Sequence, residues 1–68
     1  MNPKVEWYLC HSCALELWVE NVYYGMIFID SKEAHACKLG YGLRFSCVKV
    51  AQKALLEAAL TYRQQQGL

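Results

Sequence analysis

Ala14-Leu15-Glu16-Leu17-Trp18-Val19-Glu20-Asn21-Val22-Tyr23-Tyr24-Gly25-Met26-Ile27-Phe28-Ile29 decides the fold. Read as extended chain, Leu15, Leu17 and Val19 point one way and Glu16, Trp18 and Glu20 the other. Asn21 supplies a turn, because asparagine tolerates left-handed backbone. Between Leu15 and Ile29, eight of fifteen residues are Val, Ile, Phe, Tyr or Trp, which pack well on a pleated surface. This reading predicts a β-hairpin over 15–20 and 22–29. The competing reading is one helix from Ser12, with Leu15, Trp18, Val19, Val22 and Met26 at helical spacing. Such a helix would also carry Leu17, Tyr24 and Phe28 on its opposite face and Gly25 in its interior. The strand reading makes the chain α+β; the helical alternative makes it all-α.

Upstream, Val5, Trp7 and Leu9 alternate with Lys4, Glu6 and Tyr8, a period-two pattern for a strand that runs into Cys10-His11-Ser12-Cys13. Downstream, Asp30-Ser31 reads as a helix N-cap with Glu33 in the first turn. A short helix, Lys32 to Leu39, would end at Gly40, a residue suited to the position just past a helix. Tyr41-Gly42-Leu43 reads as a turn or short extended piece. From Ser46 or Cys47 to about Gln65 there is no Gly or Pro, and helix formers dominate. Val48, Ala51, Leu55, Ala58, Ala59 and Tyr62 form one apolar stripe facing the core. Leu56 and Leu60 lie on another side, near Lys49 and Lys53, as a second apolar patch for a partner or a second copy. Residues 64–68 should fray.

Sixty-eight residues make one domain, 1–68. A chain this short often needs a metal, disulfides or a partner subunit. Its 56% apolar and 19% charged composition is greasy for that size, which points to apolar surface shared with a partner. Residues 1–30 sum to −3 and residues 31–68 to +4, giving the net +1. Bulk charge therefore does not indicate nucleic acid. The start lacks an apolar signal region, and the uncharged stretch Asn21–Ile29 is far short of the ~20 residues that span a bilayer. A cytoplasmic protein without a membrane segment is expected, and in that reducing setting four cysteines read as thiols or metal ligands.

Cys10 and Cys13 are spaced to share one metal ion, since a short turn aims both sulfurs to one side. Cys37 and Cys47 would complete a tetrahedral zinc site, with His35 as the alternative to Cys37. Such a site would be structural and could supply much of the folding free energy. The alternative is four reduced, mostly buried thiols acting as small hydrophobes. A Cys-x-x-Cys turn, a hairpin and a helix resemble small zinc-finger-like domains in general. The resemblance covers only the order of elements, and the single cysteines at 37 and 47 depart from the paired second half.

Enzymatic chemistry finds little support. Ala14 stands where covalent haem attachment needs His. The chain is too short for a thioredoxin-like scaffold. No Asp or Asn is placed to orient His11 or His35 beside a nucleophilic cysteine. Gly40-Tyr41-Gly42 lacks the rest of a phosphate-binding loop. The expectation is a non-enzymatic protein-binding module of adaptor or inhibitor type, homodimeric, stabilised by zinc. Its contacts would use Leu56, Leu60, Lys49 and Lys53, or the hairpin face with Trp18 and Tyr23 or Tyr24. One alternative is a zinc-containing nucleic-acid-binding regulator using Lys32, Lys38, Arg44, Lys49, Lys53 and Arg63, with Tyr41 or Phe45 stacking. The other is a metal-free thiol or redox protein.

Overall fold

The computed structural model of the chain describes residues 2–67. Strands β1 (Val5–Cys10), β2 (Ala14–Val19), β3 (Val22–Phe28), β4 (Glu33–Ala36) and β5 (Tyr41–Arg44) form one antiparallel sheet in chain order. Helix α1 (Val48–Gln65) follows and packs on β2, β3 and β4. The fold is therefore α+β, and the hairpin at its centre stands where the alternation places it. The helical reading of that stretch is overturned.

Local backbone geometry sets each reversal. The two-residue turn Glu20-Asn21 joins Val19 to its partner Val22, with both φ angles positive at 51° and 64°. Positive φ at both positions matches the right-handed twist of the flanking strands. At the β1–β2 turn, the Cys13 N–H donates to the Cys10 carbonyl at 3.1 Å, and His11 and Ser12 take φ of 52° and 58°. Between β3 and β4, the Lys32 N–H donates to the Phe28 carbonyl at 2.8 Å, and Lys32 is left-handed at φ 60°.

This last reversal corrects the expected helix over Lys32 to Leu39. Asp30-Ser31 belongs to a turn, not a cap, and Glu33–Ala36 is strand β4. Only Cys37–Leu39 is helical, as a single 3-10 turn. Gly40 does end it in the left-handed conformation, φ 63°, its N–H reaching the Cys37 carbonyl. Tyr41-Gly42-Leu43 is the extended piece, and with Arg44 it forms β5.

The register of β2 on β3 slips once. Trp18 pairs with Tyr23 and Leu17 with Gly25, which leaves Tyr24 as the extra residue of a bulge. The bulge lets Tyr24 join the core at 2% exposure beside neighbours already facing inward. Here the sheet is built from small residues. A Cβ on Gly25 would lie 2.7 Å from the Ala36 Cβ and 2.7 Å from the His35 carbonyl oxygen. Ala34 and Ala36 are buried, and α1 meets them with fully buried Ala51, Leu55 and Ala59. Of the expected stripe, Val48 and Tyr62 also pack on this core, and Ala58 is half-buried. The helix continues through Gln64 and Gln65, inside the tail expected to fray; Leu68 lies outside the described residues.

Candidate functional site

A helix on one face of a sheet leaves the other face open. Cross-strand pairing assigns that face residue by residue. Glu6 pairs with Trp18, Tyr8 with Glu16, and Cys10 with Ala14. Trp18 continues to Tyr23, Glu16 to Met26, and Ala14 to Phe28. Met26 then meets His35, Phe28 meets Glu33, and Glu33 meets Arg44. These side chains point away from Leu17, Ile27 and Ala34, which face α1.

The open face is aromatic at its centre. The Tyr8 and Trp18 rings meet edge-on at 6.3 Å, and Trp18 and Tyr23 meet at 5.6 Å. Phe28 packs edge-on to His35 at 5.4 Å. Tyr8 is 48% exposed, and Tyr23 and Phe28 are each 37% exposed.

Carboxylates hold these rings in place. Tyr8 Oη donates to Glu6 Oε2 at 2.6 Å, and Trp18 Nε1 donates to Glu16 Oε1 at 3.3 Å. Arg44 Nη2 donates to Glu33 Oε2 at 3.2 Å, and His35 Nε2 lies 3.6 Å from Glu33 Oε1. The hydrogen bond from Arg44, then that from His35, holds the Glu33 carboxyl below its usual range. The bond to Glu6 raises the Tyr8 phenol; burial, then the Glu16 carboxylate, raises that of Tyr23. Glu6, Glu16 and Glu33 face Arg44 and the Lys4 ammonium, which lies 3.7 Å from Glu6 Oε1, so the face is aromatic with one carboxylate in excess.

The four cysteines stand at three places in the fold. Cys10 and Cys13 share the β1–β2 turn, with Cys13 Sγ 3.7 Å from the Cys10 carbonyl oxygen. Cys37 opens the 3-10 turn after β4, and Cys47 is the N-cap residue of α1. Cys10 is half-buried and the other three are exposed. Among the described residues, no group of three or more His, Cys, Asp or Glu side chains is placed to hold a metal ion. His35 faces Phe28 and Glu33.

The other expected contacts are distributed over the opposite side. Leu56 and Leu60 are half-buried against the margin of the core, while Lys49 and Lys53 are exposed on α1. Leu60 also lines an open cleft of 790 Å³ with Pro3, Glu20, Thr61 and Gln64. Tyr41 and Phe45 stack on each other at 6.4 Å, half-buried against the core. Lys38 lies over the Tyr24 ring, and Arg63 donates to the Tyr24 hydroxyl. The expected hairpin face held Trp18 with Tyr23 or Tyr24; Tyr24 is instead buried in the core, and Tyr8, Phe28 and the carboxylates beside them were not among the expected contacts. The signal was available in the same alternation, since Glu6 and Tyr8 share a parity, as do Glu16 and Trp18.

No family model, curated protein or solved structure matches the chain. Among the described residues, no helix is long and apolar enough to cross a membrane.

Proposed function

We propose that this chain is a small non-enzymatic protein-binding module of adaptor or inhibitor type, and that it engages its partner through the open sheet face. The observation that carries this reading is the Tyr8–Trp18–Tyr23 cluster, partly exposed on a face that, among the described residues, no other element covers. Tyr and Trp are preferred anchors at protein interfaces because they bury large area with few torsions to freeze. Here the hydrogen bonds to Glu6 and Glu16 fix two of the three rings before a partner arrives, which lowers the entropic cost of binding. The acid excess favours a protein surface that presents Lys or Arg around an apolar centre. It opposes a nucleic-acid strand on this face, since the carboxylates repel the phosphates of a strand whose bases the rings would stack.

The test is affinity capture from the source cell with wild type, Tyr23→Ala and Leu56→Glu chains, each first shown to be folded by circular dichroism. A specific protein retained by wild type and Leu56→Glu but lost with Tyr23→Ala supports the open face. Retention by Tyr23→Ala with loss on Leu56→Glu would move the interface to the helix and sink this reading.

A further inference from the structure

Strand β1 is the first strand of the sheet and, among the described residues, has a neighbour on one side only. Natural sheets blunt such edges with short strands, bulges, prolines or inward-pointing charge. β5, at the other edge, is four residues long and carries Gly42 and an Arg44 tied to Glu33. β1 is six residues long, and its pairing with β2 is regular throughout. It also carries Val5, Tyr8 and Leu9 at 36%, 48% and 61% exposure.

The ladder with β2 fixes which backbone groups of β1 are unpaired. The Glu20 N–H donates to the Lys4 carbonyl at 2.9 Å. Hydrogen-bonded pairs alternate along an antiparallel ladder, so Glu6, Tyr8 and Cys10 also turn their backbone groups toward β2. The N–H and C=O of Val5, Trp7 and Leu9 therefore point out of the sheet. A second antiparallel strand must bond to those three residues. One register satisfies them all with twofold symmetry: Trp7 opposite the partner's Trp7, and Val5 opposite the partner's Leu9.

That register also matches the side chains. On the helix side it places Val5 and Leu9, both exposed, against each other across the axis. On the open face it places Glu6 directly opposite the partner's Tyr8, in a non-hydrogen-bonded pair where side chains approach most closely. Tyr8 Oη already donates to Glu6 within one chain, so the acceptor chemistry is in place. Shifting the register by two residues one way would set Glu6 against the partner's Glu6, a like-charge pair. Shifting it by two the other way would leave Val5 opposite the partner's His11, in the turn, without a strand to bond to. Shifting it by one would turn the apolar side of one copy to the open face of the other.

We infer that the β1 edge is a homodimerisation site, where two copies join antiparallel about Trp7 into one continuous sheet. Both helices then lie on the same side, and the two aromatic faces merge into one surface twice as wide. This goes beyond the proposed partner site, which a monomer would also possess.

Sedimentation equilibrium and amide hydrogen exchange over a concentration series test it. Wild type should be a dimer at high micromolar concentration. The Val5, Trp7 and Leu9 amides should become protected only as the dimer forms, whereas Glu6 and Tyr8 amides are protected throughout. Leu9→Lys puts charge at the edge on a side chain already exposed, and should give a folded monomer. Tyr8→Glu sets like charges across the axis and should weaken the dimer by about tenfold. Adding Glu6→Arg to Tyr8→Glu should restore it, because Arg then faces the partner's substituted position 8. A wild type that stays monomeric, a Leu9→Lys chain that still dimerises, or Val5, Trp7 and Leu9 amides equally labile in dimer and monomer would each overturn the inference.

Discussion

Two adjacent residues, Tyr24 and Gly25, carry much of the fold's specificity. Tyr24 is the bulge residue, buried under α1, with Tyr62 edge-on at 6.2 Å and Arg63 Nη1 donating to its hydroxyl at 3.3 Å. Tyr24→Phe should cost about 1 kcal/mol, the net worth of a partly buried hydrogen bond, in urea unfolding. Gly25 has no room for a methyl group, because one close neighbour is backbone and the other the short, rigid Ala36 Cβ. Gly25→Ala should destabilise by about 1–3 kcal/mol, measured the same way. Glu33 gives a pH signature. Its folded carboxyl is held below the usual range by Arg44 and His35, so its contribution is present above the unfolded-state pKa. That contribution fades as pH falls through the lower folded value. An NMR titration should show the Glu33 carboxyl returning toward an ordinary carboxylate pKa in Arg44→Gln.

At the scale of elements, local signals were legible where they agreed with packing. The β2–β3 hairpin could be read because alternation around Leu17 and Trp18 suits a strand, while the competing helix would carry Leu17, Tyr24 and Phe28 on its opposite face and Gly25 inside it. The C-terminal helix could be read because Ala51, Leu55 and Ala59 recur every four residues without a breaker. β4 could not be read, because Ala34 and Ala36 favour helix. Their place in the sheet comes from α1, which needs small residues beneath it, so tertiary packing overrides propensity. The site was half legible for a related reason. Parity assigns Trp18 outward, but a bulge changes parity, and nothing local distinguishes the inward Tyr24 from the outward Tyr23. The turns carry a further test. Asn21 holds φ 64° in a two-residue reversal, a position where glycine is least strained. Asn21→Gly should raise the thermal midpoint slightly, by at most a few tenths of a kcal/mol, because relief of the left-handed backbone outweighs the added freedom of the unfolded chain, and should leave the Lys4–Glu20 backbone bond intact.

For the whole molecule, the question is what closes so small a chain. The buried core contains Leu17, Val19, Tyr24, Ile27 and Leu55, joined by alanines at the contact between sheet and helix. All of these lie between α1 and the strands, and no cysteine is among them. Cys13, Cys37 and Cys47 are exposed, and they sit in a hairpin turn, a 3-10 turn and a helix cap. Packing of this kind closes through the apolar layer, with the thiols at its periphery. Prolonged treatment with a chelator should therefore leave the far-ultraviolet circular dichroism and the thermal midpoint unchanged. Alkylation of the native protein should reach Cys13, Cys37 and Cys47 first and half-buried Cys10 last, with the helix retained. Loss of the helix on chelation, with one zinc released per chain, would give the opposite answer. The thiolates would then be metal ligands whose binding free energy is part of the folding free energy.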